Sequence, residues 1–194
     1  MVSINDIKQL REETSVSIAD CKKALEEAKG DFIIAKDVLK RRGIEVAAKK
    51  SERGTNAGIV VSYVHSNNRV GVLIELRCET DFASKSDNFR LLAHEICLQA
   101  TSMKPLFAQE EDIPENFLDG EKKIYREQFK DSGKPEKIIE QIIEGKLKKY
   151  KEEVCLMSQV WVKDDSKTIK QLIDENIAKI GENITIKRFA RFEI

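Results

Sequence analysis

His94 and Glu95 occupy the first two positions of an H-E-x-x-H zinc-hydrolase motif, but Leu98 stands where the second histidine must be. Two imidazoles one helical turn apart are what grip the metal, so the motif is empty. Gly145 and Lys146 are followed by Leu147, and no G-x-x-x-x-G-K-[ST] loop exists to cradle a phosphate and offer magnesium a hydroxyl. No G-x-G-x-x-G follows a strand pattern, and neither His65 nor His94 has a nucleophile and a carboxylate at a recognisable spacing. The four cysteines, Cys21, Cys78, Cys97 and Cys155, form no C-x-x-C pair. They are read as small buried hydrophobes, without a zinc site or a disulfide framework. No cofactor is called for, and binding is the default expectation over covalent chemistry.

Two features invite a partner. Basic clusters occur at Lys22–Lys23, Lys40–Arg42, Lys49–Lys50 and from Lys146 to Lys151, although Asp20, Glu26, Glu27, Glu152 and Glu153 lie beside them. Pattern alone makes them solvated helix faces. Phe82 is an aromatic in a polar turn between strand and helix, flanked by Asp81 and Ala83 and followed by Ser84 and Lys85. Alternation has stopped there, and pattern alone favours tucking the ring into the local core over projecting it to a partner.

The elements that position these residues begin with helices. Ser3 with Asp6, and Ser17 with Asp20, fit capping boxes ahead of two apolar-periodic stretches, one carrying Ile7 and Leu10, the other Cys21, Ala24 and Leu25. Gly30 supplies a stop, Asp31 caps a third helix with Phe32, Ala35, Val38 and Leu39, and Gly43 is expected to end it. Ser51 to Gly58 reads as a polar linker or hinge. Residues 59–65 and 70–78 read as a hairpin, with Val72, Ile74, Leu76 and Cys78 alternating and Ser66 to Asn68 as the turn. Helices are expected from about Ser86, over 115–129, after Pro135 along an Ile138, Ile139, Ile142, Ile143, Leu147, Tyr150 stripe, and from Ile169 to Gly181. Ser158 to Lys163 reads as a short extended piece, and Ile184, Ile186 and Phe189 open a last strand that joins the hairpin. The fold class is α+β, a three-helix N-terminal bundle followed by a small antiparallel sheet covered by helices, divided as 1–54 and 55–194.

Lys plus Arg equals Asp plus Glu at 34 each, which removes any long-range pull toward nucleic acid or an anionic membrane. No apolar run spans a bilayer and residues 1–11 lack a signal-peptide pattern, so a cytoplasmic protein is expected.

The stretch from Leu10 to Thr14 through Asp20–Cys21–Lys22–Lys23–Ala24–Leu25 to Gly30–Asp31 resembles the N-terminal module of the elongation factor Ts family. Thr80–Asp81–Phe82 after a strand ending in Cys78 is similar to that family's central signature. Gly181–Glu182–Asn183 ahead of Lys187–Arg188–Phe189 resembles its C-terminal one, and Gly133–Lys134–Pro135, Glu144 to Tyr150, Glu153 to Gln159 and Lys163–Asp164 match its short members. The resemblance covers essentially the whole chain. It implies a UBA-like bundle that docks on elongation factor Tu through Ile18, Lys22 and Lys23. It further implies a turn, Thr80, Asp81, Phe82 and Ala83, that disturbs the partner's magnesium site and promotes GDP release, so that GTP binds the nucleotide-free factor. A homodimer is implied as well, with no direct nucleic acid and no membrane. Without the resemblance, the rival is a ribosome- or nucleic-acid-binding module using the basic clusters. Ser15 and Ser17 stand where the family usually has glycines, and Ala83 where valine is common.

Overall fold

Each of the first three helices starts where a side chain captures free backbone N–H groups. In the computed structural model, which describes residues 2–14, 16–130 and 132–194, α1 (Ile4–Thr14) opens on a reciprocal box. Ser3 N donates to Asp6 Oδ2 at 3.0 Å and Asp6 N to Ser3 Oγ at 3.1 Å. α2 (Ile18–Glu27) is capped by Ser17, which accepts from Asp20 N at 3.1 Å. Asp31 accepts from Ile33 N and Ile34 N to start α3 (Phe32–Lys50). Leu10, Cys21, Ala24, Leu25, Ala28, Ala35, Val38 and Leu39 form the bundle's own core. Ser15 lies outside the described residues.

One helix boundary differs from expectation: α3 continues through Gly43 to Lys50. Gly43 is buried, and a Cβ there would stand 3.6 Å from that of Ala178, so the helix carries a glycine without ending at it. The stretch after it is no free linker either, because the side chain of Asn183 donates to the carbonyls of Ser51 and Arg53.

β1 (Ala57–Val64) and β2 (Val70–Cys78) form the expected hairpin, with His65 N donating to Val70 O. Val72, Ile74, Leu76 and Cys78 are buried while Leu73 faces out, the period-2 pattern of a half-buried strand. β5 (Ile184–Glu193) joins the antiparallel sheet in the order β1-β2-β5. Between β2 and β5 lie α4 (Asp81–Ser84), α5 (Asp87–Met103), α6 (Glu115–Phe129), α7 (Glu136–Val154), a two-stranded ribbon of β3 (Val160–Trp161) and β4 (Asp164–Thr168), and α8 (Ile169–Ile180). The fold class is α+β, as expected.

The chain forms two compact units, the first made of Met1–Val61, Glu75–His94 and Gln171–Lys187, the second of Ser62–Ile74, Glu95–Lys170 and Arg188–Ile194. In the second, Ile113, Val154 and Cys155 gather Phe107, Phe117, Leu118 and Tyr150 into a small cluster. On the expected α7 stripe only Ile143 is buried, and Ile138 is exposed. β4 was not expected. Its residues, Asp164 to Thr168, are polar and carry no alternation, and its pairing with β3 is irregular between Val160 and Trp161.

Candidate functional site

The site is built at the point where β2 leaves the sheet. Alternation buries Leu76 and Cys78, and Thr80 then takes an extended conformation and caps a single helical turn, accepting from Ala83 N at 3.3 Å. One turn of helix divides its four residues between two faces. Ala83 and Ser84 are buried, whereas Asp81 and Phe82 are exposed, Phe82 by 92%. The local-core placement that pattern favours for Phe82 is therefore overturned. The cap rotates positions 83 and 84 inward, and the aromatic of that core is Phe89, which is fully buried. Ala83 offers a partner almost no surface at 7% exposure and seats the turn instead.

The turn is braced from a distant part of the sequence. Glu182 receives both donors of Thr80, the backbone N–H on Oε2 at 2.9 Å and the hydroxyl on Oε1 at 2.6 Å. Asn183 N donates to Glu79 Oε1 at 2.7 Å, and Arg53 lies 3.6 Å from the other Glu79 oxygen. Gly181 takes φ +84°, and Lys50 Nζ donates to its carbonyl oxygen. Ser84 Oγ donates to Asp81 O at 2.9 Å and Cys78 Sγ to Thr80 O at 3.2 Å, tying the turn to itself and to the strand end. Burial raises the Cys78 thiol pKa, and the Glu182 carboxylate raises it further, so Cys78 serves as packing. Glu79, Glu182 and Asn183 complete the site although residue type and spacing alone assign them no role. For Glu182 and Asn183 the signal in the sequence is the Gly181–Glu182–Asn183 tripeptide, whose contact with Thr80 no local pattern reveals.

The second expected set sits on α2. Cys21, Ala24 and Leu25 face the bundle core, which leaves Ile18 and Lys22, four residues apart, on the outer face. Ile18 is 55% exposed, and Lys22 lies 3.8 Å from Glu26. Lys23 belongs to a groove of about 320 Å³ that Val16, Asp20, Leu39, Arg42 and Val46 also line. Ile18, Lys22 and Lys23 on α2, and Asp81 and Phe82 on α4, thus form two separate exposed sets. Part of the basic clusters is paired where it lies: Lys22 lies 3.8 Å from Glu26, Arg42 pairs with Glu27 at 2.8 Å and Lys151 lies 3.8 Å from Glu110, while Lys146 sits over the rings of Tyr125 and Phe129. All four cysteines are buried, and none is in a disulfide. Among the described residues, no helix is long and apolar enough to cross a membrane.

The family model described as elongation factor TS matches residues 5–194. The chain is 52% identical over 193 residues to elongation factor Ts of Thermotoga petrophila, covering all of this chain and 96% of that one. It belongs to the elongation factor Ts family. The elongation factor Ts of Thermosipho melanesiensis is 50% identical over 194 residues, with 100% and 99% covered. That of Caldanaerobacter subterraneus subsp. tengcongensis is 46% identical over 193 residues, with 100% and 96% covered. Membership in elongation factor Ts places the chain among the factors of translation elongation in protein biosynthesis.

Proposed function

We propose that the protein binds elongation factor Tu carrying GDP and promotes GDP release by presenting Asp81 and Phe82 to the partner's magnesium and phosphate site. The observation that carries this reading is Phe82, a large apolar ring 92% exposed on a turn that hydrogen bonds hold in place. Folding gains nothing from an aromatic left in water, and a rigid aromatic is suited to anchoring a partner. Magnesium bridges the diphosphate to its protein, so a wedge that dislodges the ion weakens much of the grip on GDP. No covalent bond is made or broken.

In this reading residues 1–54 are a docking module, with Ile18, Lys22 and Lys23 on the nucleotide-binding domain of the partner, and residues 55–194 are the core that delivers the turn and forms a homodimer. The work is cytoplasmic, where translation runs. Linkage sets a further condition: if the exchange factor weakens GDP binding, GDP weakens exchange-factor binding by the same factor. The rival, a ribosome- or nucleic-acid-binding module, draws little support from a chain whose 34 basic residues are matched by 34 acidic ones and whose Lys22 and Arg42 lie beside Glu26 and Glu27.

Release of fluorescent GDP from elongation factor Tu, followed with and without the protein, is the test. A many-fold acceleration at sub-stoichiometric protein is expected. An unchanged release rate sinks the proposal, and binding that collapses between low and moderate salt turns the reading toward nucleic acid.

A further inference from the structure

A four-residue helix has no stability of its own, because one turn fixes several dihedrals for a single hydrogen bond. Yet α4 holds Phe82 almost wholly in solvent, where packing of the ring contributes nothing to its placement. Something else must fix the direction in which Phe82 and Asp81 point. The candidate is the Thr80 cap, and Thr80 is in turn held by one carboxylate. Glu182 accepts the Thr80 N–H at 2.9 Å and the Thr80 hydroxyl at 2.6 Å, two charge-assisted bonds on adjacent donors. With the hydroxyl proton committed to Glu182, the oxygen's lone pairs are left for Ala83 N at 3.3 Å, the bond that caps the turn, while Ser84 N donates to Thr80 O at 3.3 Å to close its backbone. The carboxylate therefore orients the cap as well as the backbone.

Glu182 is itself anchored on both sides. Lys50 Nζ holds the Gly181 carbonyl, Asn183 N is taken by Glu79 Oε1 at 2.7 Å, and Asn183 Nδ2 reaches Arg53 O at 2.8 Å. A carboxylate on a fixed backbone is a rigid brace, and pre-organising a contact residue removes the ordering cost that binding would otherwise carry.

We propose that Glu182 is the positioning residue of the exchange turn, acting through Thr80 to aim Phe82 and Asp81. The proposal rests on the reading of those two residues as the partner contact. It assigns Glu182 an effect on the rate of GDP release at saturation, with little effect on docking through Ile18, Lys22 and Lys23.

The test uses the full chain as wild type, Glu182→Ala, Glu182→Gln, Thr80→Val, Phe82→Ala and the Glu182→Ala/Phe82→Ala double variant. Two readouts are taken: hydrogen exchange of the Thr80 amide in the free protein, and the maximal rate and half-saturating concentration for release of fluorescent GDP from elongation factor Tu. Glu182→Ala should speed Thr80 amide exchange and lower the maximal release rate by about tenfold, since small misplacements of an acting group are costly. Its half-saturating concentration should stay within about twofold. Glu182→Gln, which keeps one acceptor oxygen for the hydroxyl, and Thr80→Val, which removes only the hydroxyl, should fall between. In the Phe82→Ala background the further loss from Glu182→Ala should shrink to under about twofold, as expected of residues acting as one unit. Wild-type maximal rate in Glu182→Ala, an undiminished loss in the Phe82→Ala background, or a Thr80 amide no less protected in Glu182→Ala would each overturn the assignment. Should Glu182→Ala not fold, wild-type rates in both Glu182→Gln and Thr80→Val would do the same. A wild-type protein that fails to speed GDP release refutes the exchange reading instead, and Thr80 exchange then decides the brace alone.

Discussion

Asn183 donates its side-chain amide to the Arg53 carbonyl at 2.8 Å, a bond between residues 130 positions apart, and to Ser51 O at 3.2 Å. At 3% exposure the amide has no water to fall back on, so its donors are spent on these two backbone carbonyls. Asn183→Ala should cost about 1–3 kcal/mol in urea unfolding. Asn183→Asp should cost more, because it sets a carboxylate against two carbonyl oxygens. An Asp variant as stable as wild type would show that the 51–53 segment is not held this way.

Two glycines should respond in opposite directions to a methyl group. At Gly43, inside α3, a Cβ meets Ala178 Cβ at an ordinary 3.6 Å, so Gly43→Ala should stabilise by about 0.5–1 kcal/mol through helix propensity and chain entropy. At Gly58, φ is +153° and a Cβ would stand 2.3 Å from Leu76 O, an overlap that backbone must yield to relieve. Gly58→Ala should lower stability by roughly 2 kcal/mol or more. Denaturant midpoints with unchanged m-values are the check, and a stabilised Gly58→Ala protein would contradict the close approach of β1 to β2.

Local chemistry was legible in the sequence where local physics decides it. Ser3, Ser17 and Asp31 are found as helix caps, the Val72 to Cys78 alternation as a half-buried strand, and 115–129 as a helix. What was not legible depends on partners distant in the chain. Gly43 reads as a stop because propensity is local, whereas its helix continues with Ala178 beside it. Ser51 to Gly58 reads as a linker because the Asn183 amide that pins it lies far along the chain. Phe82 reads as core because an aromatic usually is. Which face of one helical turn points inward is set by the Thr80 cap and, through it, by Glu182, and no period in the sequence carries that information.

Cys97 is fully buried, and burial pushes its thiol up to about 11 from 9.0. The neutral form is the one the folded protein favours, so this contribution to stability is complete below pH 9 and is lost as pH rises toward 11, where the unfolded chain has already ionised. The loss should be on the order of 2 kcal/mol at pH 10.5. Comparing the change in unfolding free energy between pH 8 and pH 10.5 for wild type and Cys97→Ala isolates it from other titrations. Equal changes in the two proteins would mean the thiol is not insulated from water.

Ile18 is exposed at the first residue of α2, with Lys22 one turn along, and makes no contribution to the bundle core. Under the docking proposal, Ile18→Ala should raise the half-saturating concentration for GDP release by about fivefold or more while leaving the maximal rate and the melting temperature near wild type. A reduced maximal rate at unchanged half-saturation would place Ile18 in the exchange step and not in docking.

Phe82 offers the sharpest separation between stability and function. Truncating a buried Phe costs about 3–5 kcal/mol, whereas removing one that is 92% exposed removes little packing. Phe82→Ala should therefore melt within a few degrees of wild type yet release GDP from elongation factor Tu at a clearly reduced maximal rate. Asp81→Ala should show the same profile more weakly, since its carboxylate shares the exposed face of the turn but carries no apolar anchor. Because both residues would act on one magnesium and phosphate site, the double variant should lose less than the sum of the single losses in free energy. Strict additivity would mean that they touch independent parts of the partner. Wild-type exchange by Phe82→Ala would remove the wedge altogether and leave the exposed ring without a function.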